Sequence, residues 1–192
     1  KTLKGTGVAV VTPFNEDYSI DIDSINKIVD FLIDNGVDYI VVQGTTGEAS
    51  TLSEEEKKIS RLAFVSANKR RVPLILGLGS NDTLSIIKDL VNINFFGFSA
   101  ILSVTPFYNK PSQQGLYKHY SEISKASPLP IILYNVPSRT GINMLPDTTI
   151  NLAVNHSNII GIKEACGDLN QINQLITERP KDFMIISGDD DT

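Results

Sequence analysis

The sequence predicts an α/β fold, specifically a (β/α)8 (TIM) barrel that is incomplete at its C-terminal end. Three observations carry this expectation. Short apolar runs alternate with longer amphipathic ones, strand starts recur at intervals of about 30 residues, and nearly every apolar run ends in a polar cluster. Strands buried on both faces read as continuous apolar runs, and parallel strands need crossovers of the kind a helix supplies. An open doubly wound sheet gathers its chemistry at one switch point, whereas a barrel presents it at the carboxyl end of every strand. The polar clusters therefore favour the barrel. A closed barrel needs eight strands and about 250 residues. The 192 residues hold seven candidate strands, so one domain over residues 1–192, truncated before strand eight, is expected.

Strands are expected at Val8–Val11, Tyr39–Gln43, Pro73–Gly77, Ala100–Val104, Ile131–Tyr134, Ile159–Lys163 and Met184–Ser187. Between the first two, Ile25, Ile28, Val29, Leu32 and Ile33 share one helical face, and Gly36 stands where a C-terminal cap belongs. Ser53-Glu54-Glu55-Glu56 is a capping box that also sets carboxylates on the positive end of the helix dipole. Leu84, Ile87, Leu90 and Val91 repeat the helical period, as do Leu116, Tyr120 and Ile123. Pro146 opens a shorter helix carrying Ile150 and Val154, and Leu169, Ile172, Leu175 and Ile176 mark the last one.

Composition narrows the function classes. The net charge is −5 with no basic block, which disfavours a nucleic-acid or anionic-membrane partner. No apolar run approaches the roughly 18 residues needed to span a bilayer, and no secretory signal is visible. Cys166 is the single cysteine, so an internal disulfide is excluded and a reducing, cytoplasmic location is expected. With no histidine near it in sequence, Cys166 reads as a packing residue.

Lys163 is costly where it stands. It ends the run Ile159-Ile160-Gly161-Ile162, and an ammonium taken out of water is expensive unless paired. Two readings follow from the run alone: a structural lysine that snorkels its head to the strand end, or an amine whose pKa falls on burial until it is a nucleophile near neutral pH. The other strand ends favour the second. They read Thr12-Pro13, Gly44-Thr45-Thr46-Gly47-Glu48, Gly77-Leu78-Gly79-Ser80-Asn81, Thr105-Pro106-Phe107-Tyr108-Asn109, Tyr134-Asn135-Val136-Pro137-Ser138-Arg139-Thr140-Gly141, Lys163-Glu164 and Ser187-Gly188-Asp189. Hydroxyls, two tyrosines, an arginine and a lysine suit an anionic carbonyl substrate. Thr45 and Thr46 lie in a glycine-flanked turn whose backbone N–H groups can take a carboxylate. Tyr134 and Tyr108 can carry protons to a developing alkoxide or carbinolamine. Arg139 offers a planar fork for a second carboxylate. An imine on Lys163 is an electron sink for the adjacent carbanion.

Rival motifs are weaker. Gly77-Leu78-Gly79-Ser80-Asn81-Asp82 has Asp82 where a dinucleotide fingerprint needs its third glycine. His119 and His156 fall on helix faces or ends without metal-ligand spacing, so no metal is expected. Asp189-Asp190-Asp191 reads as a solvated loop.

As a set, the motifs at Gly44–Glu48, Thr105–Asn109, Tyr134–Gly141, Gly161–Ala165 and Ser187–Asp190 resemble the dihydrodipicolinate synthase (4-hydroxy-tetrahydrodipicolinate synthase) family. This family belongs to the pyruvate-dependent class I aldolase and N-acetylneuraminate lyase superfamily. The resemblance covers the whole chain and implies a (β/α)8 barrel followed by C-terminal helices. It implies a lyase that condenses pyruvate with L-aspartate 4-semialdehyde in lysine (diaminopimelate) biosynthesis, with no cofactor beyond a covalent imine between Lys163 and pyruvate. Tyr134 would assist imine formation, with Thr45 relaying protons between it and Tyr108. Thr46 would hold the pyruvate carboxylate together with Thr45, Arg139 the carboxylate of the aldehyde, and Gly188 would line the pocket. Tyr108 would cross to the neighbouring subunit's site in a homo-dimer or homo-tetramer.

N-acetylneuraminate lyases share the Lys and Tyr positions but lack the Ser138-Arg139-Thr140-Gly141 run, so they are the alternative, beside a catalytically inactive barrel fragment. Members inhibited by lysine carry histidines at the positions of Glu54 and Lys57, a glutamate at Ser85 and a tyrosine at Phe107, with Asn81 retained here. The resemblance thus implies weak or absent lysine inhibition.

Overall fold

Each expected apolar run is a strand. A computed structural model of the chain describes residues 3–189, with seven strands and seven helices, one helix between successive strands except for two between the fifth and sixth. The chain divides into two compact units: the residues up to Gly77 with Phe95–Ala100, and Leu78–Asn94 with the residues from Ile101 onward.

The first unit contains β1 (Gly7–Ala9), α1 (Ile22–Asp34), β2 (Tyr39–Val42), α2 (Glu54–Asn68) and β3 (Leu74–Gly77). The strands are parallel, with Val8 opposite Ile40 and Ile40 opposite Leu74. All four residues of β2 are buried, as a strand covered on both faces should be. Ile25 and Val29 of α1 and Phe64 of α2 are fully buried. Asp21 caps α1 by accepting from Ser24 N–H at 2.9 Å. The capping box forms as expected, with Ser53 N–H donating to Glu56 Oε2 at 2.8 Å and Glu56 N–H to Ser53 Oγ at 3.3 Å. Past α1, Gly36 has φ +86, the left-handed conformation that favours glycine after a helix.

The second unit contains α3 (Thr83–Asn92), the part of β4 (Phe98–Val104) from Ile101 on, α4 (Gln113–Ala126), β5 (Ile131–Asn135), α5 (Pro137–Thr140), α6 (Pro146–Asn155), β6 (Ile159–Glu164), α7 (Leu169–Glu178) and β7 (Met184–Ser187). Its strands run parallel in chain order, with Val104 opposite Tyr134, Tyr134 opposite Lys163, and Lys163 opposite Ile186. Between β5 and β6 the pairing shifts: Ile131 faces Ile159 but Ile132 faces Gly161, so Ile160 is an extra residue, a β-bulge. Leu116, Tyr120 and Ile123 of α4, Leu152 of α6 and Leu175 of α7 are buried with Ile132, Leu133 and Ile162 of the strands.

Two local features add detail to the expected elements. Residues 137–140 form a single helical turn, α5, because Pro137 is preset for the first helical position and Gly141, at φ +73, ends it in the left-handed region. Asp82, which disqualified the dinucleotide fingerprint, caps α3 by accepting from Leu84 N–H at 3.1 Å. Among the described residues, no helix is long and apolar enough to cross a membrane.

Candidate active site

Strand geometry brings Lys163 and Tyr134 together. They are register partners on β6 and β5, so their side chains leave the same face of the sheet. The Lys163 ammonium nitrogen lies 4.8 Å from the centre of the Tyr134 ring, within cation–π range. Lys163 is half-buried, and burial pulls its pKa below the ordinary lysine value while Asp189 pulls the other way. Burial pushes the Tyr134 phenol up. Arg139 opposes that shift and Asp189 adds to it. A lysine moved toward its free-base form thus sits beside a phenol held in its protonated, donating form.

Gly188 closes in on the same lysine. Its N–H donates to Glu164 C=O at 2.7 Å. A Cβ there would stand 2.8 Å from Ala165 Cβ, 2.9 Å from Glu164 O and 3.1 Å from Lys163 Cε. Only glycine permits this approach.

Arg139 and Tyr108 belong to the same unit. Arg139 is exposed at the end of α5, with its N–H bonded to Val136 C=O at 3.0 Å. Tyr108 adopts φ +73 and its side chain is 87% exposed, while its N–H reaches Thr140 C=O at 3.4 Å. The next residue, Asn109, donates from Nδ2 to Asn81 C=O at 3.1 Å.

Thr45 and Thr46 lie in the first unit, in a turn closed by Gly47 N–H to Gly44 C=O at 3.0 Å and Glu48 N–H to Thr45 C=O at 3.1 Å. The buried Thr12 hydroxyl donates to Gly47 C=O at 2.7 Å and anchors the turn from β1's side, leaving both threonine side chains exposed.

The dihydrodipicolinate synthetase family model matches residues 2–192. The chain belongs to that family. It is 53% identical over 186 residues to the 4-hydroxy-tetrahydrodipicolinate synthase of Flavobacterium psychrophilum, covering 97% of this chain and 64% of that one. The synthase of Parabacteroides distasonis is 50% identical over 188 residues, covering 98% and 63%. The chain thus spans less than two thirds of the length of these relatives. Among solved structures, it is similar to the chloride-inhibited dihydrodipicolinate synthase from Acinetobacter baumannii complexed with pyruvate. There the TM-score is 0.94 and the identity 44%, covering 100% of this chain and 65% of that one.

Behind Lys163, this dihydrodipicolinate synthetase family chain holds a buried polar network that the motifs do not announce. Glu164 is 1% exposed. Its Oε1 accepts from Asn135 Nδ2 at 2.9 Å and its Oε2 from Gln171 Nε2 at 3.1 Å. The Cys166 backbone N–H and thiol donate to it as well. Burial nonetheless pushes the carboxyl above its ordinary pKa. One signal was available: Gln171 stands four residues before Leu175, on the apolar stripe of α7, where a polar side chain needs a buried partner.

The other sequence candidates take structural places. Burial pushes the Cys166 thiol up to about 11, and its sulfur accepts from Asp168 N–H at 3.4 Å, a packing role rather than a nucleophile's. Burial pulls His119 down to about 4, with its Nδ1 2.8 Å from Thr83 Oγ1. His156 lies 2.9 Å from Ser121 Oγ. Among the described residues, no group of His, Cys, Asp and Glu is arranged to hold a metal. Asp189 is exposed, and Asp190 and Asp191 lie outside the described residues.

Proposed function

We propose that the chain carries the imine-forming lysine of a 4-hydroxy-tetrahydrodipicolinate synthase, which condenses pyruvate with L-aspartate 4-semialdehyde without a cofactor. The observation that carries this reading is the Lys163–Tyr134 pair, a half-buried amine 4.8 Å from a tyrosine ring, in a chain 53% identical to such a synthase. On this reading the Lys163 amine adds to the ketone of pyruvate, and Tyr134 delivers a proton as the carbinolamine loses water. The resulting iminium draws electrons from the methyl group, and the enamine attacks the aldehyde. Gly188 leaves room for the keto acid beside the lysine stem.

The remaining roles rest on the family motifs. Thr45 is assigned to proton relay and Thr46 to the pyruvate carboxylate, and Arg139 to the carboxylate of the aldehyde. The exposed Tyr108 is assigned to the site of a neighbouring subunit, in a homo-dimer or homo-tetramer. The chain is taken as part of a single (β/α)8-barrel domain, supplying seven of its strands.

Borohydride trapping with pyruvate tests the proposal. The expected result is an adduct mapped by mass spectrometry to Lys163 and abolished in Lys163→Ala. An adduct elsewhere, or one that survives the substitution, overturns it.

A further inference from the structure

Lys163 and Glu164 are neighbours on β6 and leave opposite faces of the strand, as do Tyr134 and Asn135 on β5. Asn135 is the register partner of Glu164, one step beyond the Tyr134–Lys163 pair. The reactive pair on one face therefore has a polar pair directly behind it.

That polar pair is half of a closed ring. Asn135 Nδ2 donates to Glu164 Oε1 at 2.9 Å and to Asn143 Oδ1 at 2.7 Å, while Asn135 Oδ1 accepts from Met144 N–H at 2.9 Å. Asn143 Nδ2 donates to Gln171 Oε1 at 2.8 Å, and Gln171 Nε2 donates to Glu164 Oε2 at 3.1 Å. Four parts of the chain meet there: β5, the segment between α5 and α6, α7 and β6. The direction of every bond depends on Glu164. A carboxylate only accepts, so it turns the NH2 groups of Asn135 and Gln171 toward itself and leaves their oxygens for Met144 N–H and Asn143. The Glu164 backbone also accepts from Gly188 N–H at 2.7 Å, so the same residue ties down the glycine beside the lysine stem.

The ring sits just beyond a break in strand register. The bulge at Ile160 breaks the β5–β6 pairing four residues before the ring, and register beyond a bulge is held by whatever pairs after it. We propose that Glu164 is a positioning residue: through Asn135, Asn143 and Gln171 it fixes β6 against β5 so that Lys163 meets Tyr134, and this inference rests on Lys163 being the imine-forming lysine. It is distinct from the residues that touch substrate, because its carboxyl lies on the other face of the strand.

Glu164→Gln tests this with minimal change of shape. The new amide would point a donor at the Asn135 or Gln171 NH2 group, so the ring cannot close as built. The expected result is pyruvate trapping at Lys163 slowed about ten- to a hundredfold, the cost of misplacing a reacting group by a fraction of an ångström to an ångström. The pH midpoint of trapping should also rise, as a less constrained Lys163 gains water while Tyr134 and Asp189 remain its neighbours. Adding Gln171→Glu to Glu164→Gln should restore both readouts, because the amide introduced on β6 would then accept from Asn135 and donate to the carboxylate introduced on α7. A purely structural role would lower the melting temperature without moving the pH midpoint.

Asn143→Ala, outside both strands, is the second variant and should shift the midpoint in the same direction. Unchanged trapping rate and midpoint in either folded variant overturns the positioning role. Absence of any Lys163 adduct in the unsubstituted protein instead overturns the imine reading, and this inference with it.

Discussion

Asn135 Nδ2 donates to Glu164 Oε1 at 2.9 Å, directly behind the Tyr134–Lys163 pair. Lys163 and Tyr134 on one face of the sheet are thus backed by a hydrogen-bonded polar pair on the other.

Lys163 should cost stability at neutral pH. Its pKa is lower in the folded protein than in the unfolded chain, so the unfolded state binds the extra proton between the two values. Its contribution is therefore most favourable above the unfolded-state value and is lost as pH falls through the folded one. Lys163→Met is expected to raise the melting temperature at pH 7, with the gain shrinking as pH approaches 10. Thermal unfolding followed by circular dichroism across that range checks the sign. A variant less stable than the parent at pH 7 would contradict it.

Two glycine substitutions separate packing from backbone effects. Gly188→Ala places a methyl within 3 Å of Ala165 Cβ and Glu164 O, an overpacking that costs about 1–3 kcal/mol and pushes on the Lys163 stem. Gly36→Ala meets no atom within 4 Å but forces an L-residue to φ +86, costing about 1–2 kcal/mol. Both should melt lower, yet only Gly188→Ala should slow pyruvate trapping. Equal trapping rates in the two variants would show that Gly188 does not bear on the lysine.

Arg139→Ala should divide the two half-reactions. The exposed guanidinium lies outside the β5–β6 pairing that holds Lys163, so imine trapping should fall by less than about threefold. Loss of a charge-assisted hydrogen bond to a carboxylate is worth about 1.5–3 kcal/mol. Activity toward aspartate semialdehyde should therefore fall roughly ten- to a hundredfold in kcat/KM. Equal damage to both steps would remove the assigned role.

On the proposed function, free lysine at millimolar concentration should inhibit the full-length enzyme weakly or not at all. Where lysine-inhibited members are expected to carry histidines, this chain has Glu54 and Lys57, paired to each other at 2.9 Å at the start of α2. Ser85 also supplies no carboxylate for an ammonium. Initial rates with and without added lysine check this, and half-inhibition at about 1 mM would refute it.

The helix cap offers a stability test away from the site. Ser53 donors hold Glu56 below the ordinary carboxylate range, so its contribution is present at neutral pH and is lost as pH falls through the depressed value. Ser53→Ala should lower the melting temperature at pH 7 and should matter less in acid. Melting curves at pH 7 and pH 3 compare the two.

Much of the fold was readable from local rules. Ser53-Glu54-Glu55-Glu56 announced the start of α2, and apolar runs such as Tyr39–Gln43 announced strands, because capping and burial on both faces leave marks within a few residues. Lys163 was conspicuous for the same reason: a charge in an apolar run is a local contradiction. The ring behind it was not visible. Asn135, Asn143, Glu164 and Gln171 are scattered along the sequence, and apart from Gln171 on the apolar stripe of α7 each reads alone as an ordinary polar position at a strand end or loop. Only the folded chain shows them closing on one another. The single turn of α5 leaves no such mark, because Pro137 and Gly141 are as much loop residues as helix boundaries.

The extra residue in β6 carries a consequence about counting. From the Ile131–Ile159 pair, Tyr134 is three residues along its strand and Lys163 four along its own, and Ile160 absorbs the difference. Loss of Ile160 would even the two counts and leave the amine opposite the phenol. Loss of Gly161 or Ile162 shortens β6 by the same one residue, so the amine would keep its place only if the bulge is given up, whereas an insertion beside them would set a neighbour opposite Tyr134 and turn the amine to the other face. The address of Lys163 is thus written in a length, and the bulge is the one residue of slack in it.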